Sequence, residues 1–156
     1  MTSIAAAIKA ILVADDDEDE GGVATLLTGG IYTKADTGPD GINQVSTPDA
    51  FDEDTLLLLP SALICARGQI PTGVRNRAAQ YTSTRQVVEI YLYNHSSYAV
   101  LYQARTRIYK LLQDQRFTSV YGCHLVNQID DERAEELDNA TLIRADYQIV
   151  SFLSVG

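Results

Sequence analysis

The chain has 156 residues, of which 46% are hydrophobic and 21% are charged, the size and balance of one globular domain. Twelve Lys and Arg against 21 Asp and Glu give a formal net charge of -9, which argues against a protein that coats nucleic acid or an anionic membrane by bulk attraction. The two cysteines, Cys65 and Cys123, are too few for a disulfide framework and indicate a reducing compartment. No stretch approaches the ~20 apolar residues of a membrane span, so no membrane partner is expected.

Charge is unevenly distributed along the chain. Residues 1–54 hold 12 acidic residues against two lysines, whereas residues 55–156 hold nine acidic residues against ten basic ones. Residues 67–84 contain no acid and are punctuated by Gly68, Pro71 and Gly73. This composition predicts a long basic loop over residues 67–84.

The first third of the chain predicts one short helix and much irregular structure. Apolar residues at helical spacing predict a helix over residues 4–13 that is capped by Ser3. The six acids of residues 15–20 oppose the helix dipole there and predict the helix end. A brief apolar segment follows at residues 23–27, and residues 33–54 are rich in Thr, Asp, Gly and Pro, which predicts a second long loop.

The remaining two thirds predict four main strands and a second helix. The strands are expected at residues 56–66 (interrupted by Pro60), 85–94, 119–129 and 140–153, because these segments combine β-branched and aromatic residues with period-2 alternation. A helix over residues 97–113, capped by Ser96 or Ser97, carries one apolar stripe. The acidic spacer 130–139 is expected to be a polar loop or one helical turn. This order predicts one α+β domain over residues 1–156, with a mixed, mainly antiparallel sheet of about four main strands and two principal helices on one face.

Patterns for catalysis and metal binding are weak. An EF-hand-like spacing begins at Asp16, but position 12 of that loop is Leu27 and not the bidentate Glu that closes the calcium shell. Cys123 and His124 are neighbours on a predicted strand, so their side chains point to opposite faces and cannot readily act as nucleophile and base. No phosphate-binding glycine loop is present in the sequence. We therefore expect no cofactor, no metal site and no enzymatic activity.

Two groups of residues are candidates for an interface. Arg67, Arg75 and Arg77 of the predicted basic loop fit a flexible exposed loop, a loop that contacts a subunit or partner, or a DNA contact. The acidic first third would complement this loop in a homo-oligomer.

The second group lies on the predicted helix 97–113. Tyr98, Tyr102 and Tyr109 cluster beside its apolar stripe, with Arg105 between them and the core. Tyr and Arg are enriched at protein interfaces. This flank therefore predicts either a wide core face or a subunit interface.

The order of elements resembles a known family. An Ile/Ala-rich helix leads into Val-Ala-Thr-Leu-Leu-Thr-Gly-Gly-Ile-Tyr at residues 23–32; a Leu-rich strand with Pro60 and the strand Val-Val-Glu-Ile-Tyr-Leu-Tyr at residues 87–93 follow. A helix then starts directly after a polar corner, and two strands end the chain. This arrangement resembles the tail terminator, or tail completion, proteins of long-tailed bacteriophages, and more loosely the neck proteins that join phage head and tail.

The resemblance implies a structural, non-catalytic role. The family implies a small α+β subunit that assembles with copies of itself into a ring, typically a hexamer. Such a ring caps the tail tube and meets the head–tail connector, in the virion and, during assembly, in the host cytoplasm. DNA would pass through the lumen without specific binding, and an acidic subunit suits this by repelling phosphate. The acidic run 15–20 and the long loop 33–54 depart from the family pattern. The alternatives are another neck or connector protein, a small non-catalytic α+β binding module, or an enzyme with a dispersed site.

Overall fold

The computed structural model describes residues 3–19, 21–76, 81–113, 120–137 and 140–154. Within them, six strands form one mixed sheet. The strands lie side by side in the order β1 (Ile31–Thr33), β2 (Ser61–Ala66), β4 (Tyr81–Asn94), β6 (Ala140–Ser154) and β5 (Val120–Ala134), and β3 (Ile70–Asn76) pairs with the first part of β4. The β1–β2 pair is parallel and all other pairs are antiparallel.

Four α-helices and two short 3₁₀ turns complete the described chain. The helices are α1 (Ile4–Ala14), α2 (Val23–Leu26), α3 (Lys34–Thr37) and α4 (Ala99–Leu112), and the 3₁₀ turns span Pro48–Ala50 and Glu135–Leu137. As predicted, the Ser3 hydroxyl caps α1, accepting a hydrogen bond from the Ala6 N–H at 3.1 Å. The cap of α4 differs from the prediction: Tyr98 occupies the N-cap position without a side-chain cap bond, and Ser97 Oγ accepts from the Ala99 N–H at 3.3 Å.

The main core lies between the helices and one face of the sheet. α1 and α4 both contribute buried residues to it, and the even-numbered positions of β4 face them, as the alternation predicts. The fully buried members include Ile8, Leu12, Leu101, Ala104, Ile108, Leu112, Ile64, Val88, Ile90, Leu92, Ile143 and Tyr147. The predicted α+β class, with two principal helices on one face, is confirmed by this layer.

A second, smaller core covers part of the opposite face of the sheet. The segment between α3 and β2 supplies Ile42, Ala50 and Leu58, which pack on Leu63, Tyr93 and Leu142 of the sheet. Residues 33–54 were expected to form one long loop across the surface. Instead they include the end of β1, α3 and a 3₁₀ turn, because this segment shields apolar side chains on the sheet from water.

Two glycines allow the chain to enter the parallel β1–β2 pair. The Gly29 N–H donates to the Pro60 carbonyl at 2.8 Å, and a Cβ on Gly29 would lie only 2.9 Å from that oxygen. Gly30 follows with φ at +102°, a conformation that L side chains rarely adopt. The Gly-Gly pair is therefore required where the chain passes close to Pro60.

Two expected boundaries and the expected number of strands differ from the structure. Residues 67–84, predicted to be a loop, contain β3 and the start of β4. The Gly and Pro residues predicted a backbone bonded to water, whereas pairing between β3 and β4 satisfies its hydrogen bonds. The first predicted strand, 56–66, begins only at Ser61, after Pro60, which has no N–H to donate. The sheet thus has six strands in the described chain and not about four.

The acidic spacer between the last two strands is also shorter than expected. β5 continues to Ala134, and a 3₁₀ turn over Glu135–Leu137 follows. The β5–β6 pairing has three register shifts, and one of them falls between Ile129 and Glu132, within the acidic part of β5.

Candidate interaction surfaces

The tyrosine flank of α4, formed by Tyr98, Tyr102, Arg105 and Tyr109, packs partly against β5. The rings of Tyr98 and Tyr102 stack with centroids 5.9 Å apart. The guanidinium of Arg105 lies 5.3 Å from the Tyr102 ring centroid, and that of Arg133 on β5 lies 5.7 Å from the Tyr98 centroid. The result is a ladder between α4 and β5 in which two stacked rings lie between two guanidinium groups.

Hydrogen bonds close this ladder at both ends. The Tyr98 hydroxyl donates to the Glu132 carbonyl at 2.9 Å, and Arg105 forms an ion pair with Asp130. Tyr98, Tyr102 and Arg105 therefore all make contacts within the chain. Tyr109 differs, since it is 40% exposed. The role of the flank in a subunit interface stays a prediction.

The basic segment comprises residues 67–85, and its described parts, 67–76 and 81–85, lie along β3 and the beginning of β4. Arg67 follows β2, and its Nε donates to Glu89 Oε1 at 2.5 Å while 67% of the side chain stays exposed. Arg75 lies on β3, opposite Thr82 of β4. Arg85 on β4 is exposed. Arg77 lies outside the described residues.

A polar cluster that the sequence reading missed lies on the face of the sheet away from the helices. Glu89 and Asp146 are directly opposite each other on β4 and β6 and are almost fully buried. Arg144 bridges them: its Nη1 is 3.3 Å from Glu89 Oε2 and its Nε is 3.0 Å from Asp146 Oδ1. The Tyr91 hydroxyl donates to Glu89 at 3.0 Å, and Asn127 donates to Asp146 at 3.3 Å.

The electrostatics of this cluster keep Glu89 ionised. Burial raises the pKa of Glu89, but hydrogen bonds from Arg67 and Tyr91 and the charges of Arg67 and Arg144 outweigh burial and lower it below its usual value. Burial and the neighbouring Glu89 raise the pKa of Tyr91. The like charges of Glu89 and Asp146 would repel across the strand pair without these arginines. The alternation of β4 indicated that Glu89 and Tyr91 share a face, but the partner strand that places Asp146 there is a property of the fold.

An exposed apolar tip projects from the segment that covers the second core. Val45, Leu56 and Leu57 are 92%, 58% and 43% exposed. The Gln44 side-chain amide reaches the Leu56 carbonyl at 3.5 Å, so the two turns that carry these residues lie side by side. The predicted strand over residues 56–66 includes Leu56 and Leu57, but β2 begins at Ser61. The three acids at positions 52–54 are the sequence signal for a turn.

A shallow groove of about 450 Å³ lies along the outer side of α4. It is lined by Gly21, Leu26, Tyr102, Gln103, Thr106, Arg107 and Lys110. Arg107 is held from below by Asp15, with Nε and Nη2 donating to the two carboxylate oxygens at 2.8 and 2.9 Å. The groove is open, and Asp15 neutralises one of its two cationic side chains.

The remaining sequence candidates are separated in the structure. Cys65 and Cys123 are free thiols, and burial raises the pKa of Cys65. Cys123 is buried on the helix side of β5, opposite Ile149, whereas His124 is half-buried and opposite Gln148. Among the described residues, no group of three or more His, Cys, Asp or Glu side chains could hold a metal ion. The described helices include none that is long and apolar enough to cross a membrane.

Comparison with known proteins gives a match at the level of the fold. No protein-family model and no curated protein sequence matches this chain. Among solved structures, the fold is similar to that of a chain in the virion of the native gene transfer agent (GTA) particle. The TM-score is 0.57 at 11% sequence identity, and the match covers 97% of this chain and 95% of that chain. At this identity the likeness shows a shared fold over nearly the full length of both chains.

Proposed function

We propose that the chain is a structural protein of a phage-like virion. The observation that carries this proposal is the shared fold with a chain of the gene transfer agent virion, because it extends over 97% of this chain and 95% of that chain. The order of elements that resembles phage tail terminator proteins supports the same class of particle.

The finer proposal places the chain in a ring at the end of the tail. Copies of the chain would form the ring, typically a hexamer, that caps the tail tube and meets the connector or neck proteins of the head. The distribution of charge supports assembly from identical subunits, since an acidic first third and a basic segment 67–85 occur in the same chain. The net charge of -9 supports a lumen through which DNA passes without specific binding.

A non-catalytic role is part of the proposal. The buried carboxylates of Glu89 and Asp146 are held by Arg67 and Arg144. The pKa of Glu89 is lowered, so this carboxylate stays ionised and is a poor general acid near neutral pH. These contacts give the cluster a structural role within the sheet.

The proposal is tested by size and location. The purified chain should form a closed ring of identical subunits, observed by light scattering coupled to size exclusion and by negative-stain microscopy. Because the tail tube can be needed to stabilise the ring, the same measurement is made on purified particles, where antibody labelling should mark the junction of head and tail. Labelling of the tail tip, or absence of the chain from particles, would contradict the proposal.

A further inference from the structure

We propose that the apolar tip of one copy of this chain docks against the basic segment of a neighbouring copy, and that this contact joins the subunits of the ring. The inference rests on the proposed function, since it names the surfaces that would build the proposed oligomer. The partner is a second copy of this chain.

The apolar tip has the composition of a docking element. Val45, Leu56 and Leu57 are all exposed, and Leu58, the next residue, is buried in the second core. The same segment of the chain carries the exposed carboxylates of Asp49, Glu53 and Asp54. An apolar centre with a charged rim is the anatomy of a protein interface.

The tip is also held rigidly before any partner binds. Asn43 Oδ1 accepts from the Val45 and Ser46 N–H groups at 3.0 and 2.8 Å, and Asp52 Oδ1 accepts from the Asp54 and Thr55 N–H groups at 2.9 Å. Leu56 lies within this frame with φ at +59°, a left-handed conformation that is uncommon for a side chain of its kind. A strained and exposed Leu is stable only because its surroundings impose the conformation. Rigid presentation lowers the entropy lost on docking.

The basic segment presents the complementary surface. On the open face of the sheet, exposed Arg85 of β4 pairs across the strands with Ile70 of β3 and with Val150 of β6. Ile70 is 53% exposed, and Arg67, 67% exposed, lies nearby on the same face through its bond to Glu89. The segment has four arginines and no acid between residues 67 and 85, while residues 49–54 have four acids and no base. Each surface therefore combines apolar side chains with one sign of charge, and the signs are opposite.

Within one molecule, the tip lies far from Arg85 and Ile70 of the basic segment. The segment that carries the tip packs over Tyr93, near one end of β4, whereas Arg85 lies eight residues earlier on that strand and pairs with Ile70. At about 3.4 Å per residue the separation along the strand is about 27 Å. We therefore assign the contact with Arg85 and Ile70 to another copy, and a contact between two different patches is head-to-tail, the type that generates rings.

The first experiment removes the apolar contact without disturbing the fold. Asn adopts the left-handed conformation more readily than Leu, so Leu56→Asn should leave the melting temperature unchanged or raise it. The association constant between subunits should fall by at least about tenfold, because a buried Leu would be lost from the interface. Val13→Asn is the control, since Val13 is also an exposed apolar residue but lies on α1. It should leave the association constant unchanged.

The second experiment exchanges the charges. Glu53→Arg with Asp54→Arg should abolish the ring, and adding Arg75→Glu and Arg85→Glu in the same chain should restore it, because the signs are opposite again. Asp16→Arg with Glu18→Arg makes the same change of net charge on the exposed acidic run and should leave assembly intact.

The outcomes separate this inference from the proposed function. If the parent chain forms rings and the tip variants form them equally well, the docking contact is wrong and the ring remains. If the tip variants form rings but no longer attach to tails, the tip faces a different virion protein and the inference is overturned. If the parent chain forms no ring in solution and none in particles, both fail.

Discussion

Asp15 is the first of six consecutive acids, yet its environment differs from that of its exposed neighbours. Its side chain is 9% exposed and accepts from Arg107 of α4 and from the Val23 N–H at 2.9 Å. The hydrogen bond from Arg107 is the main cause that lowers the pKa of Asp15, against the opposing effect of burial. One carboxylate thus ties the end of α1 and the start of α2 to α4.

Replacement of Asp15 tests this tie. Asp15→Asn removes the charge from a bidentate pair and should lower the free energy of unfolding by about 1.5–3 kcal/mol, the usual contribution of hydrogen bonds to charged groups. Urea unfolding at neutral pH gives the measurement. Asp16→Asn, at an exposed position of the same run, is the control and should change the free energy of unfolding by less than about 0.5 kcal/mol. Equal effects at both positions would show that the contacts of Asp15 do not stabilise the fold.

Asp15 and two further carboxylates predict how the free energy of unfolding changes in acid. The pKa values of Asp15, Asp36 and Glu89 are all lowered in the folded chain. Their stabilisation is present above the unfolded values of about 4 and is lost as pH falls through the lower folded values. Unfolding free energy measured from pH 6 to pH 2 should therefore fall below about pH 4. The fall should be shallower in Asp15→Asn, and a profile identical to that of the parent would refute the assignment.

At the scale of elements, α4 carries the main core and also caps the free edge of the sheet. Its buried stripe faces β4 and β6, while Gln113, just after its end, accepts from the Leu125 N–H of β5 at 3.1 Å. The Tyr98 hydroxyl binds a β5 carbonyl near the other end of the helix. Side chains at the two ends of α4 therefore form hydrogen bonds with backbone groups of the edge strand β5. Such groups could otherwise pair with a strand of another chain.

Truncation of the α4 stripe should be costly. Leu101 and Ile108 are fully buried, so Leu101→Ala or Ile108→Ala should each lower the free energy of unfolding by about 2–5 kcal/mol, as cavities in cores do. Denaturant melts provide the measurement. Gln103→Ala, on the exposed side of the same helix, is the control and should change stability by less than about 0.5 kcal/mol. Unchanged melts for both core variants would mean that the helix packs through another face.

At the scale of the whole molecule, the described helices cover one face of the sheet, and the described segment before β2 covers one end of the other face. The polar cluster around Glu89 and the basic segment occupy the part that the segment before β2 leaves open. Open faces of antiparallel sheets are commonly solvated. Here the open part carries arginines in an otherwise acidic chain, which makes it the best candidate for a contact with other subunits.

Charge reversal in the basic segment tests that candidate. Arg75→Glu with Arg77→Glu should leave the melting temperature of the monomer nearly unchanged, since the sequence predicts both arginines to lie in an exposed segment and exposed charges contribute little to folding. Ring formation or tail attachment should be lost, because like charges would then meet across the contact. Melting curves and electron microscopy of assembled particles measure the two effects. If the double variant completes tails as efficiently as the parent, the basic segment is not a contact surface.

Periodicity by itself determined α1, α4, the core half of β4 and the α+β class, because burial of one helix stripe or strand face leaves a local pattern in the sequence. Only the tertiary structure decided that residues 70–76 form a strand. Their backbone hydrogen bonds are made with β4, and the side chains of residues 70–76 do not record that pairing. The same holds for Glu89 and Asp146, 57 positions apart in sequence, which become neighbours through the β4–β6 register. It also holds for Tyr98 and Arg105, whose side chains bond to Glu132 and Asp130 of β5. Local spacing records which side of an element is buried, but not which distant element buries it.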